Sequence, residues 1–318
     1  MQKELIEFVC PKCGEKLIVN SKFKPCRCNN ELTVNYGKFS GITFFNFYDR
    51  VNLSEKDGHF YDIFFKFYLK EVINKIQIGK ITKNEEKEKA EQNSDYLLNS
   101  VPLPKEFWKN KLVLDAGCGG GWATLAALNL NATIISIDNA NTCIEFNNWI
   151  LRNSNGLAIK SSMDFIPIKE ETFDIVMAWS SIHHTKNPKK TLKTLVKLLK
   201  KDGTIMFSVY GRNNFLREFL ISLTRSFLRL FSLKNRIKFS KLFIIKNNKI
   251  RKKLNKIFPF QKNMLASTDI FCPVYRYTFE KKEIIDFLKK NNMKEIKTWG
   301  VKPCPEVNEK IHFFMAKK

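Results

Sequence analysis

Leu112-Val-Leu-Asp115-Ala-Gly117-Cys-Gly119-Gly120-Gly121-Trp122 is the stretch on which the reading of this chain turns. A short apolar run ends in a carboxylate, four glycines fall within the next six positions, and a helix-forming segment starts at Trp122. Glycine permits the tight turn between a strand and a helix, and it lets backbone amides at the helix N-terminus approach a polar ligand. Two phosphate-binding patterns are excluded. G-x-G-x-x-G fails because Trp122 holds the third glycine position counted from Gly117, and no Gly-Lys-Ser/Thr follows as a phosphate loop requires. What remains is D-x-G-x-G-x-G.

Outward from this loop, the chain after Pro104 alternates apolar runs with amphipathic segments, as strands interleaved with helices do in a parallel sheet. Strands are expected at 112–114, 133–137, 157–159, 173–178 and 204–209, with two more near 296–299 and 311–316. Helices are expected at 122–130, 143–151, 188–199 and 281–290. Asp138 ends the second strand, 17 residues past Gly121, where a carboxylate can accept hydrogen bonds from the two hydroxyls of a ribose.

In order and spacing these features resemble the class I S-adenosylmethionine-dependent methyltransferases (type 11-like), well over about 105–210 and more loosely to the end. The resemblance implies an α/β fold, a doubly wound, seven-stranded, mostly parallel Rossmann-like sheet, and S-adenosylmethionine as cofactor. It assigns the methionyl end to Asp115, Gly117, Gly119 and Gly121, the ribose to Asp138, and the adenine to Ser162, Met163 and Asp164, with Trp179 also beside the cofactor. The family usually places an Asp five residues before the Pro of a Leu-Pro-Phe-like turn; here that position is Ser162, and the carboxylate is Asp164, three before Pro167. Leu198-Leu-Lys-Lys-Asp-Gly203 matches the family's Leu-Lys-Pro-Gly-Gly turn, with Asp202 in place of the first Gly.

A sulfonium methyl is already activated, so the protein must chiefly align a nucleophile and exclude water. A base is needed only for an unionised hydroxyl or amine. The fourth strand runs into Trp179-Ser-Ser-Ile-His183-His184 at the carboxyl edge, where open sheets bind ligands. His183 or His184 is the candidate catalytic base, against the alternative that the pair only shapes the pocket. No Asn/Asp-Pro-Pro-aromatic motif stands here, which argues against adenine-N6 methylation of nucleic acid. Tyr210, Arg212, Tyr275 and Arg276, in two polar-aromatic segments, are the candidate acceptor contacts.

The N-terminal 1–40 carry Cys10-Pro-Lys-Cys13-Gly14 and, twelve residues on, Cys26-Arg-Cys28, which suggest two facing hairpins. Cys10, Cys13, Cys26 and Cys28 are the expected ligands of a structural Zn2+, stabilising a zinc-ribbon-like element too small for its own core, against the reading of four unrelated buried thiols. Residues 41–104 read as an aromatic, then charged, connector with a helix over 60–76 and a polar stretch 83–94. Residues 105–318 are expected to be the catalytic domain, interrupted by a helical insertion at 212–270.

From 212 to 256 there are fourteen Lys or Arg and one acid, Glu218, a net +13 out of +24 for all 318 residues. Leu216, Phe219, Leu220, Leu223, Phe227, Leu230 and Phe231 fall at helical spacing, with Arg217, Arg225 and Arg229 largely elsewhere. Such a helix suits peripheral contact with an anionic membrane, or is a lid whose apolar face packs on the sheet. With 44% hydrophobic and 13% aromatic residues the chain can bury a large core, which excludes wholesale disorder. The eight cysteines, and the lack of a signal-like leader or an apolar span of about 18 residues, predict a soluble cytoplasmic protein. The leading expectation is a methyltransferase acting on a small-molecule, sugar or lipid acceptor. The alternatives are an RNA methyltransferase using ribbon and basic surface, and a non-catalytic binding module on the same fold.

Overall fold

Strands β3 (Leu112–Ala116), β4 (Thr133–Asp138) and β6 (Phe173–Ala178) are mostly apolar and buried on both faces, as a sheet sandwiched between helices requires. The computed structural model describes residues 6–10, 13–17, 32–39, 42–49, 55–255, 257–299 and 310–318. With β5 (Leu157–Lys160), β7 (Leu199–Tyr210), β8 (Lys294–Trp299) and β9 (Ile311–Lys317), the seven expected strands lie in the order β5-β4-β3-β6-β7-β9-β8. All pairs are parallel except β7 with β9 and β9 with β8. A hairpin of β1 (Leu32–Phe39) and β2 (Ile42–Asp49) adds to β5 and makes nine strands. It straddles the boundary expected at residue 40.

Alternate residues feed two cores. Leu114, Ile135 and Ile137 pack on one face with Leu192 and Leu195 of α6 (Pro188–Lys197) and Ile284 and Leu288 of α11 (Lys281–Lys290). Val113 and Ile134 pack on the other with Ala126 and Ala127 of α4 (Trp122–Asn129) and Ile144 and Leu151 of α5 (Asn141–Leu151). The strand order reverses between β3 and β6, so the crevice opens at their carboxyl ends. The Lys-Asp-Gly203 turn does not interrupt β7: Asp202 takes φ +63° and the register against β6 shifts there, absorbing the turn as a bulge.

The first expected N-terminal hairpin is present: Val9 pairs with Lys16, and the Cys10 amide donates to Glu15 O at 2.8 Å. It docks on the sheet domain, where Phe8 bridges Ile168 and Ile6, Cys10 and Leu17 join the first core. Cys13 is exposed, and Cys26 and Cys28 lie outside the described residues. Among the described residues no cluster of three or more His, Cys, Asp or Glu could hold a metal.

The helix expected over 60–76 is two helices, α1 (Glu55–Tyr68) and α2 (Lys70–Gln77), broken at Leu69. The polar stretch expected from Lys83 forms the 18-residue helix α3 (Lys83–Ser100). Its start is set by a capping box in which Thr82 Oγ1 accepts from the Glu85 amide and the Glu85 carboxylate from the Thr82 amide. Ala90, Ser94 and Leu97 form its buried stripe, and the Ser94 hydroxyl donates to Ala90 O and Ala126 O.

The insertion folds as α7 (Phe215–Leu228), α8 (Leu233–Ser240), α9 (Asn248–Leu254) and α10 (Met264–Phe271). The structure corrects the expected lid orientation. Phe215, Leu216, Phe219, Leu223, Phe227 and Leu230 are exposed, whereas Arg217, Ile221, Arg225 and Leu228 are buried. The arginines are accommodated because carbonyls left open by irregular chain receive them: Arg225 donates to Ile270 O at 2.6 Å and Pro273 O at 2.7 Å, and Arg217 to Asn255 O. Among the described residues no helix is long and apolar enough to cross a membrane.

Candidate active site

Three of the loop glycines have left-handed backbones: Gly117 at φ +73°, Gly119 at +49° and Gly121 at +70°. A Cβ on Gly117 would stand 2.5 Å from Ser181 Cβ, and one on Gly121 2.4 Å from Ile150 Cδ1. The residue type is therefore fixed by both torsion and space. The amides, however, are committed within the protein. Gly117 and Cys118 both donate to Ile137 O, at 2.7 and 3.0 Å, Gly119 donates to Asp138 Oδ2 at 3.0 Å, and Gly121 to Cys118 O at 2.9 Å.

Asp138 thus staples the loop to the end of β4, since its Oδ1 also accepts from the Ala140 amide at 2.9 Å. Each oxygen keeps a further lone pair for a ligand hydroxyl. Burial raises this carboxyl to about 6 against the lowering pull of its backbone amides. Asp115 is not among the residues that line the cavity; it lies beneath the loop, accepting from the Thr124 hydroxyl at 2.7 Å, which also meets Ser136 at 2.8 Å. Burial brings Asp115 to about 7.

A cavity of about 780 Å³ opens at the switch point, within the range that holds a cofactor together with a small second ligand. Gly117, Gly119, Gly121, Asp138, Ser162, Met163, Asp164, Trp179, His184 and Tyr275 line it. Ser162 Oγ accepts from the Asp164 amide at 3.2 Å, Asp164 is held by the Thr191 hydroxyl, and the buried Trp179 Nε1 has no partner.

The two adjacent histidines differ. His183 is fully buried, both ring nitrogens lack a partner among the described residues, and its ring lies 3.8 Å from that of Tyr210. Burial, helped by His184 and Arg276, holds its pKa well below the usual value. His184 faces the cavity with Nδ1 3.0 Å from Tyr275 O. A carbonyl only accepts, so Nδ1 is the donor in this contact. Asp269 Oδ1 stands 3.6 Å from Nε2 of the same ring, and the Tyr210 hydroxyl donates to the same carboxylate. Burial would raise Asp269, but His184, Tyr210 and Arg276 outweigh it and lower its pKa overall.

Of the other candidate acceptor contacts, Tyr210 meets the cavity wall at Asp269 and at the His184 ring. Arg276 is buried, paired with Glu218 at 2.9 Å, and Arg212 is on the surface, 3.2 Å from Glu283. Sequence reasoning missed the opposite wall, Tyr61, Phe64, Phe65 and Tyr68 of α1, with Phe65 Cζ 2.8 Å from a Cβ placed on Gly119. Their i, i+3, i+4, i+7 spacing was the available signal. Asp62 fixes this wall by accepting from the Thr142 amide at 2.9 Å, in the first turn of α5.

Residues 114–207 match a family model described as a methyltransferase domain. Over this part the chain is similar to methyltransferase domains. Two relatives are each named ubiquinone biosynthesis O-methyltransferase. That of Hydrogenovibrio crunogenus is 28% identical over 121 residues, covering 35% of this chain and 50% of its own. That of Idiomarina loihiensis is 31% identical over 111 residues, covering 32% and 44%. The chain spans about half the length of the relatives it matches. Similar solved structures include Burkholderia thailandensis 1,6-didemethyltoxoflavin-N1-methyltransferase, with bound 1,6-didemethyltoxoflavin and S-adenosylhomocysteine (15% identity, TM-score 0.45, covering 82% of this chain and 90% of that one). Another is an S-adenosylmethionine dependent methyltransferase from Mesorhizobium loti (10% identity, TM-score 0.47, covering 71% and 98%).

Proposed function

We propose that the protein transfers a methyl group from S-adenosylmethionine to a hydroxyl of a small, largely apolar acceptor, with His184 as the general base. The observation that carries this reading is that the glycine loop, Asp138, His184 and Asp269 share one cavity. The donor set fits the cofactor: Asp138 keeps lone pairs for the ribose, Ser162, Met163 and Asp164 stand together for the adenine, and Gly117 and Gly119 present a surface without side chains. When bound, S-adenosylmethionine supplies a methyl already activated by its sulfonium.

The chain's own residues do the rest. The α1 aromatics and Trp179 pack the acceptor and exclude water from the transfer. His184, with Asp269 beside its Nε2, takes the hydroxyl proton as the acceptor enters, and the resulting imidazolium is stabilised by Asp269, itself held by Tyr210. His183 buttresses the pair. The two relatives' names, both O-methyltransferases, support a hydroxyl acceptor.

The decisive experiment incubates the protein and methyl-labelled cofactor with lipid, small-molecule and RNA fractions of the source cell. Label is expected in a lipid or small molecule, and label in RNA alone would overturn the acceptor class. With that acceptor, His184→Ala lowers kcat by roughly 10²–10⁴-fold while S-adenosylmethionine affinity holds. His183→Phe keeps most activity; equal losses in both would remove His184 from its assigned role. The zinc-ribbon reading stays within this proposal, supported by the Cys10-to-Gly14 turn, in which the Gly14 amide donates to Cys10 O at 2.8 Å. Metal analysis of the purified chain decides it.

A further inference from the structure

Helix α7 is built inside out. At 100° per residue, Phe215, Leu216, Phe219, Leu223, Phe227 and Leu230 occupy a sector about 120° wide, and Arg217, Ile221, Arg225 and Leu228 occupy the opposite one. The buried face is fixed in place by the carbonyls that receive its arginines and by an apolar cluster of Ile221 and Leu228 with Phe60, Ile270 and Phe271. The apolar face is thereby held in solvent, with Phe215 86% exposed and Leu230 79% exposed. Leu242, Ile250 and Ile257, farther along the insertion, are exposed as well. A contiguous patch of this kind on a rigid scaffold marks a contact surface.

Charge selects the occupant. Lys234, Lys238, Lys241, Lys249, Lys252 and Lys253, on the segments that follow α7 in the same insertion, are exposed, and the acid of this span, Glu218, is taken up by Arg276. Apolar residues that insert and lysines that meet headgroup phosphates are the two components of interfacial membrane binding. A nucleic acid would use the lysines and leave the Phe/Leu face wet.

We propose that the insertion binds the surface of an anionic lipid bilayer, with α7 lying in the interface and its Phe/Leu face in the acyl region. The inward face of α7 packs on α10 and α1, which carry Asp269, Tyr61 and Phe64 of the cavity wall, so the bilayer would lie one helical layer from the active site. The inference is independent of the methyl-transfer reading.

The test is flotation of the full chain with phosphatidylcholine vesicles containing or lacking phosphatidylglycerol, alongside S-adenosylmethionine binding in solution. The protein is expected to float with anionic vesicles and much less with neutral ones. A triple variant, Phe219→Ser, Leu223→Ser and Phe227→Ser, is expected to partition about tenfold or more weakly while binding the cofactor as the parent does. Wild-type protein that stays in solution, a triple variant that floats like the parent, or a wild-type dimer that the variant dissolves and that ignores vesicles would each overturn the proposal. Binding of RNA undiminished in the variant, with no vesicle binding, would assign the lysines to nucleic acid instead.

Discussion

The glycine loop and helix α7 obey opposite rules for where a side chain belongs. Around the loop, apolar residues face in, and the residue type is set by the space available. On α7 the cations are inside and the phenylalanines outside. The physical difference lies in what the neighbouring backbone offers. The parallel strands beside the loop use most of their own amides and carbonyls in the ladder, and the side chains packed there are mainly apolar. The chain around 255 and 270–274 leaves carbonyls open, and a guanidinium satisfies several at once.

The largest effect is expected where space is tightest. Gly117→Val places a Cβ 2.5 Å from Ser181 Cβ at φ +73°, and the displaced Ser181 also loses its 3.0 Å hydrogen bond to Ala116 O. Cofactor binding is expected to vanish by calorimetry, with stability lower by about 3–5 kcal/mol in urea unfolding. Gly14 is the control, with nearly the same torsion, φ +72°, and, among the described residues, nothing within 4 Å of an added Cβ. Gly14→Ala is expected to cost only about 1 kcal/mol of backbone strain and to leave cofactor binding intact. Similar losses at both positions would show that torsion, rather than the close approach of Ser181, governs the loop.

These rules differ in how far they could be read from the chain alone. The strands, the loop, Asp138 and helix 281–290 follow from local pattern, because burial on both faces or one stripe leaves a period in the residues themselves. The commitment of the loop amides to Ile137 and Asp138 depends on where β4 ends in space, which no spacing within the loop records. The periodicity of α7 was legible, but its direction was not: seven apolar residues at helical spacing define a face without saying which side the carbonyl acceptors of 270–274 occupy. The capping box at Thr82 and Glu85 was present in the sequence, yet α3 was expected as a polar connector because its buried stripe is made of Ala90, Asn93, Ser94 and Leu97, of which one is large and apolar.

The inversion of α7 is tested by paired substitutions. Arg225 is charged at neutral pH even though burial, with Arg276 and Arg229, lowers it to about 10. Arg225→Met strands the carbonyls of Ile270 and Pro273 and is expected to cost about 2–4 kcal/mol. Leu223→Ser, on the exposed face, is expected to change stability by less than about 0.5 kcal/mol. The reverse ranking would mean that α7 is rolled over about its axis and buries its phenylalanines.

The smallest effect separates the two buried carboxylates of the loop. Asp115, near 7, and Asp138, near 6, both lie above the ordinary carboxylate range because burial disfavours their charge. In each case the folded state holds a proton that the unfolded chain has already released. Stability from these groups is therefore greatest at low pH and falls as pH rises from about 4 towards 7. Asn at 115 can still accept from the Thr124 hydroxyl through its amide oxygen, so Asp115→Asn is expected to flatten this part of the Tm–pH profile. Relative to wild type, Tm should rise by about 2–4 °C between pH 5 and 8. Asn at 138 cannot accept from both the Gly119 and Ala140 amides, so the same exchange there should lower Tm at every pH and weaken cofactor binding. Asp115 lies beneath the loop rather than on the cavity wall, and Asp115→Asn is expected to bind S-adenosylmethionine as the parent does. Loss of binding at an unchanged Tm would return Asp115 to the ligand and show that the loop rearranges when the cofactor enters.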